Sequence, residues 1–290
     1  MPSPKAYRGR LAPSPTGYLH LGHARTFWTA QQRARGQRGT LVLRSEDLDR
    51  SRVRETFVDA MIEDLHWFGL DWQEGPDVGG PFAPYTQSER LALHRETLNQ
   101  LMDQRQVYPC RCSRRDILSA LAAPHAEEEE PLYPGTCRPK DGCPAVPSGD
   151  GTNPSEQTQV AWRFRVPEGE SVRFLDGHYG EQCFVAGRDF GDFVVWRNDD
   201  TPAYQLAVVA DDHAMGITEV VRGADLLLST ARQILLYRAL GLEPPQFYHC
   251  ELLADERGER LAKRHDSMSL RSLRQQGKTP AELRELIQTE

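Results

Sequence analysis

Residues 7–11 read as a short strand that ends in the turn Pro13-Ser14-Pro15-Thr16-Gly17, and helix-compatible sequence follows over 21–35, closed by Gly36. A compact apolar run, Thr40-Leu41-Val42-Leu43-Arg44, comes soon after and has the look of a buried strand. Residues 53–68 continue the alternation, with Phe57, Met61, Asp64-Leu65 and Phe68 spaced three or four apart, the period of an amphipathic helix. Strand–helix–strand–helix in that order predicts a parallel sheet with helices packed on it.

The rhythm is then interrupted. A helix fits 88–104, but after Tyr108 the character changes. Residues 124–155 hold an acidic run, 127–130, among many prolines, glycines and serines, the composition of an exposed loop. Short strands fit 160–166 and 172–175. The α/β alternation returns at 193–196, 204–210 and 218–221, followed by a helix over 227–240 that Gly241 ends. The expected organisation is an α/β core split by an insertion: first half 1–105, insert 106–189, second half 190–245. Residues 246–290 follow with a strand-like start, a basic loop and two short helices, the second opened by Thr279-Pro280.

Composition narrows the class. A chain of 290 residues with 39% hydrophobic and 27% charged residues suits one large globular domain with an insertion, or two modest ones. Nothing approaches the ~20 apolar residues of a membrane span, and residues 1–10 lack the apolar centre of a signal peptide. A cytoplasmic protein, without membrane or obligate protein partner, is expected. The net charge of −7 argues against a nucleic-acid binder held by an overall basic surface, and leaves room for a local basic patch. Six cysteines in such a chain point to metal rather than a disulfide framework, and Cys110, Cys112, Cys137 and Cys143 lie close in sequence.

The first chemical constellation is RLAPSPTG at 10–17 followed by HLGH at 20–23. Two histidines at a strand-to-helix junction suit an anion site, because a helix start offers free N–H groups and a positive dipole end. The imidazoles can donate to phosphate oxygens, and Gly17 and Gly22 leave room for a ligand to approach the backbone.

The stretch PSPTGYLHLGH resembles the signature region of class I aminoacyl-tRNA synthetases of the glutamate/glutamine branch, the counterpart of their HIGH motif. RLAKR at 260–264 stands where the partner KMSKS motif is expected. The resemblance runs from Arg10 to the last helices. It implies a class I, Rossmann-like core split by a zinc-containing insert and ended by a short helical segment that contacts the tRNA stem. It also implies an ATP site of His20, Gly22, His23 and Lys263, with Mg²⁺ carried on the nucleotide and with His20, His23 and Lys263 as catalytic residues. The glutamate site it implies comprises Arg10, Ala12, Ser14, Glu46, Tyr204 and Arg222. Glu46 would hold the ammonium group, and Arg10 and Arg222 the side-chain carboxylate, for which a guanidinium fork is suited. An amide would leave the Arg222 charge unpaired, so glutamate rather than glutamine is implied. No enzyme nucleophile is needed: positioning and charge stabilisation carry adenylate formation.

Cys110, Cys112, Tyr133 and Cys137 form a C-x-C…Y-x₃-C pattern that resembles one subgroup of this branch, the glutamyl-queuosine tRNA(Asp) synthetases. One structural Zn²⁺ per chain is implied, with Cys143 a rival fourth ligand on composition alone. Residues 266–290 are too few for a separate domain, so no anticodon-binding domain is expected. The subgroup's implied activity is tRNA-independent formation of glutamyl-adenylate from ATP and L-glutamate, then transfer of glutamate to queuosine in tRNA(Asp). Two other readings stay open: a minimal enzyme charging a tRNA 3′ end, and a non-catalytic glutamate- or nucleotide-binding relative.

Overall fold

The computed structural model describes residues 6–113, 115–116, 132–140, 160–253 and 269–288. In chain order the strands are β1 (Arg8–Leu11), β2 (Thr40–Leu43), β3 (Val107–Cys110), β4 (Ala161–Phe164), β5 (Ser171–Asp176), β6 (Gly180–Val185), β7 (Phe193–Trp196), β8 (Glu219–Gly223) and β9 (Gln246–Cys250). The α-helices are α1 (Leu21–Gly36), α2 (Glu55–Phe68), α3 (Leu91–Asp103), α4 (Tyr204–Ala214), α5 (Leu227–Ala239), α6 (Leu270–Gln275) and α7 (Pro280–Gln288).

Two parallel units make the core. β1 pairs with β2 from Arg8↔Thr40 to Leu11↔Leu43, with α1 as the crossover. β8 pairs with β9 from Glu219↔Gln246 to Gly223↔Cys250, with α5 as the crossover. Among these strands β2 reads as a nearly continuous apolar run, as expected where both sheet faces are covered; Leu41, Val42 and Leu43 are all buried. The units meet at their N-terminal ends, where Thr218 N donates to Arg8 O at 2.9 Å and Arg8 N to Thr218 Oγ1 at 2.8 Å. No ladder continues between β1 and β8. Farther along, Val221 O is met instead by the Arg10 guanidinium, Nη1 to O 3.0 Å. An interrupted sheet edge of this kind is where α/β proteins place ligands.

Two segments pair otherwise than the alternation suggests. β7 joins β3 and β4 in an antiparallel sheet, with the Phe164 and Phe193 rings stacked at 5.3 Å. β5 forms a hairpin with β6 and touches β9 in parallel at Asp176↔Phe247. Sheet membership therefore crosses the line drawn at 189/190, because aromatic packing recruits β7 to the inserted strands. Short apolar strands look alike in either setting, so sequence periodicity does not separate them. Among the described residues, no helix is long and apolar enough to cross a membrane.

Charge clamps the halves together. Arg44, at the end of β2, is fully buried; its guanidinium reaches Asp212 of α4 at 2.7 Å and Glu46 at 3.0 Å. Burial alone would lower the Arg44 pKa, but Asp212, Glu46 and Asp211 outweigh it and hold the cation charged. Asp211, the preceding residue, takes hydrogen bonds from Arg90 Nε (2.6 Å) and Gln87 Nε2 (2.8 Å) and faces His94 Nε2 at 3.1 Å. Replacing Arg44 strands two buried carboxylates. Arg44→Leu should lose about 3–5 kcal/mol of unfolding free energy in urea titrations, whereas Arg35→Ala, which breaks the exposed Arg35–Asp71 pair, should lose no more than about 1 kcal/mol.

Candidate active site

A cavity of about 650 Å³ opens at the C-terminal ends of β1, β2, β8 and β9. Arg10, Ala12, Ser14, His20, Gly22, His23, Glu46, Tyr204 and Arg222 all line it. Residues that sequence reasoning drew from four separate stretches thus share one chamber. Lys263, the remaining expected member, lies outside the described residues.

The turn into α1 sets the histidines. His20 is the N-cap: its Nδ1 accepts from Gly22 N at 3.1 Å, while His20 N donates to His23 Nδ1 at 3.2 Å, a reciprocal capping box. A Cβ at Gly22 would sit 2.9 Å from the His20 ring and push it out of this position. Gly17, by contrast, faces open space. With both Nδ1 atoms accepting, each neutral imidazole carries its proton on Nε2. Burial lowers the pKa of His20; burial and then His20 lower that of His23 to about 3. Both rings are therefore neutral Nε2–H donors at the start of a helix, a combination suited to phosphate oxygens.

The opposite wall is charged. Glu46 is nearly buried and held by Arg44; burial nevertheless pushes its carboxyl up from the ordinary value. Arg10 Nε lies 3.6 Å from Asp212 Oδ1 and, although buried, finds no hydrogen-bond partner. Arg222 is also buried, yet among the described residues no carboxylate lies within ion-pair distance. Its Nε faces His249 Nε2 at 3.2 Å, Nη1 faces the Tyr204 hydroxyl at 3.4 Å, and Nη2 donates to Thr230 Oγ1 at 2.7 Å. Burial, and next Arg10, lower its pKa. Two guanidiniums short of negative charge beside one carboxylate form a receptor for a ligand bearing both carboxylate and ammonium.

A second cluster sits away from this chamber. The Sγ atoms of Cys110, Cys112 and Cys137 lie within 4.8 Å of one another and could hold a metal ion. Cys112 and Cys137 are 3.5 Å apart, and the Tyr133 hydroxyl stands 3.4 Å from Cys110 Sγ and 3.6 Å from Cys112 Sγ. Tetrahedral coordination with metal–sulfur bonds of ~2.3 Å implies ligand separations of about 3.8 Å, so the spacing fits a four-ligand site. Gly135, at φ +75°, turns the chain so that Cys137 N donates to the Tyr133 hydroxyl at 2.8 Å. Arg163 lies over the Tyr133 ring at 4.0 Å and its Nε meets Cys110 Sγ at 3.3 Å, a cation placed to favour deprotonated ligands. Cys143 lies outside the described residues.

Sequence reasoning missed the supporting shell of Arg44, Asp176, Asp212, Thr230, His249 and Arg163. A signal existed for one of them: an arginine ending an apolar strand, as Arg44 does, needs a buried partner. The others come from distant segments and carry no local mark.

The histidines make stability depend on acid. His23 is held at about 3, and burial followed by Arg222 holds His249 at about 4, against roughly 6.5 in an unfolded chain. Below that value the unfolded state binds more protons, so stability is full above it and falls as pH drops toward 4, by roughly 1–2 kcal/mol per histidine at pH 5. Urea titrations from pH 8 to 5 should show this slope, and His23→Asn should flatten it.

Residues 6–289 match the family described as tRNA synthetases class I (E and Q), catalytic domain. A relative from Symbiobacterium thermophilum, named glutamyl-Q tRNA(Asp) synthetase, is 49% identical over 94% of this chain and 82% of its own length. A glutamate–tRNA ligase from Acidithiobacillus ferrooxidans is 42% identical over 97% of this chain. The crystal structure of a glutamate tRNA ligase from Elizabethkingia meningosepticum, in complex with its amino acid, superposes with a TM-score of 0.76 at 29% identity over 94% of this chain. This chain spans 57% and 54% of those two ligases. By sequence and by fold the chain belongs to the family of class I glutamyl and glutaminyl tRNA synthetase catalytic domains.

Proposed function

We propose that this chain activates L-glutamate with ATP and transfers it to queuosine in tRNA(Asp). The observation that carries activation is the shared chamber: neutral histidine donors at a helix start face two buried arginines and one carboxylate. His20 and His23 donate from Nε2 to the ATP phosphates, with Gly22 keeping the backbone close. Arg222 and Arg10 take the glutamate side-chain carboxylate and Glu46 its ammonium group, with Tyr204, Ala12 and Ser14 shaping the pocket. The substrate α-carboxylate then attacks the α-phosphorus; the bond to the β-phosphate oxygen breaks and pyrophosphate leaves. The reading assigns Lys263 to the departing phosphates. Mg²⁺ bound with ATP would supply charge neutralisation there. In the second step a diol hydroxyl of queuosine attacks the acyl carbon, AMP departs, and an ester remains.

The reading also assigns one structural Zn²⁺ to Cys110, Cys112, Tyr133 and Cys137. It is supported by the tetrahedral spacing and by the Arg163 cation, which offsets the cost of a phenolate ligand. Purified protein should contain about one zinc per chain; Cys137→Ser and Tyr133→Phe should lower that content, and Cys143→Ser should leave it unchanged. Zinc lost from Cys143→Ser and retained in Tyr133→Phe would reassign the fourth ligand.

The choice of acceptor rests on the relative that is 49% identical, while the 42% identity to a glutamate–tRNA ligase favours charging of a 3′ end as the second reading. Labelled glutamate separates them. Incubation with ATP should label queuosine-containing tRNA(Asp), including tRNA whose 3′-terminal diol was destroyed by periodate with queuosine protected. The same tRNA with guanosine at that position should stay unlabelled. Labelling of queuosine-free tRNA(Glu) at its 3′ end would replace the first reading with the second.

A further inference from the structure

Arg222 is oriented without being neutralised, and the residues that do this lie one layer behind the chamber. Its contacts with His249, Tyr204 and Thr230 use three N–H groups of a guanidinium that has five. None of the three partners is a carboxylate.

Behind them stands Asp176, at the end of β5 and buried like His249. Its Oδ1 accepts the backbone N–H of His178 (3.0 Å), Tyr179 (2.9 Å) and His249 (3.3 Å). Its Oδ2 lies 2.6 Å from His249 Nδ1. A carboxylate accepts only, so His249 must donate from Nδ1 and is left with a bare Nε2. That atom faces the Arg222 Nε–H at 3.2 Å and lies 3.0 Å from the Thr230 hydroxyl, whose single proton also has Leu226 O within 3.2 Å. Burial and the Arg222 charge, against the opposing pull of Asp176, keep the ring neutral with a pKa of about 4.

We propose that Asp176 and His249 are positioning residues for Arg222, fixing the imidazole tautomer that accepts from its Nε and thereby setting the choice of a carboxylate over an amide on the substrate side chain. The inference rests on the reading above in which Arg222 receives that carboxylate. A carboxylate directly against Arg222 would also orient it, but would quench its charge and occupy its bidentate fork. Interposing an imidazole passes on the orientation and keeps the anion a ring's width away. The guanidinium then meets the substrate with charge and free donors intact.

Asp176→Asn tests the tautomer. The amide oxygen can still accept from the three backbone donors, but its NH₂ group now faces His249 Nδ1. The ring proton is driven to Nε2, where it opposes the Arg222 N–H. In glutamate-dependent ATP–pyrophosphate exchange without tRNA, the KM for glutamate should rise on the order of 10- to 100-fold, the scale of one charge-assisted hydrogen bond. The KM for ATP should stay at the parental value, and the preference for glutamate over glutamine should shrink. His249→Phe should behave alike, and His249→Gln, whose carbonyl can accept from Arg222, should recover part of the loss. Imidazole ¹⁵N spectra of the parent at pH 7 should report a neutral Nδ1–H ring.

A parental ring that is protonated on Nε2 or on both nitrogens overturns the proposal, whatever the variants do. So do folded Asp176→Asn and His249→Phe proteins with parental glutamate KM and parental discrimination. Arg222→Lys in the same assay separates the two layers. Impairment there with none at Asp176 or His249 removes this inference alone, whereas a parental glutamate KM in Arg222→Lys removes the pocket reading and this inference with it.

Discussion

Asp211 and Asp212, consecutive on α4, are both buried, and between them they hold four residues of the first half of the core: 44, 87, 90 and 94. Neighbours on a helix project about 100° apart, so one short stretch reaches two sets of partners. The cavity depends on this arrangement. Arg44 spans from Asp212 to Glu46, so the carboxylate on the cavity wall is set by a residue of α4 some 166 positions along the chain. Arg10 shares the same Asp212 oxygen. Burying ions in this way adds little net stability compared with an apolar core; what it provides is a geometry that fails as a unit once a member is missing.

The cavity divides its polarity between two chemistries. On the α1 side the capping box occupies both Nδ1 atoms, so the same bonds that start the helix choose the tautomer its histidines present. On the β8 side a carboxylate behind His249 makes the matching choice with the opposite result, a bare nitrogen rather than a proton. The three imidazoles are all depressed below their ordinary pKa by burial, yet two serve as donors and one as acceptor. Local hydrogen bonding, and not charge state, makes the difference.

Much of this was legible from residue order. The first βα unit announced itself through a turn, a glycine-closed helix and the apolar run of β2, and the lining residues through motifs that keep their order along the chain. Pairing was harder to read. Phe193–Trp196 has the composition of a core strand, and only its antiparallel pairing with β4 assigns it to the other sheet. The shell behind the cavity was hidden for a related reason. Asp176, Thr230 and His249 sit in three segments up to 73 residues apart, and nothing near any one of them signals the other two. Arg163 likewise reads as an ordinary alternating strand residue until Tyr133 is found beneath it.

Burial, and next the nearby Arg10, lower the pKa of Arg222; Arg10 only shares Asp212 with Arg44, and among the described residues Arg222 has no carboxylate within ion-pair distance. Bringing the two arginines together opposes folding, and two apolar side chains of similar size would oppose it less. The surrounding carboxylates, by contrast, are each tied into the clamp between the halves. A lineage freed from catalysis and selected for stability alone would shed these two arginines first and keep Asp211, Asp212 and Arg44. Joint retention of the two arginines would therefore follow the use of the cavity, whereas retention of the aspartates would follow the fold alone.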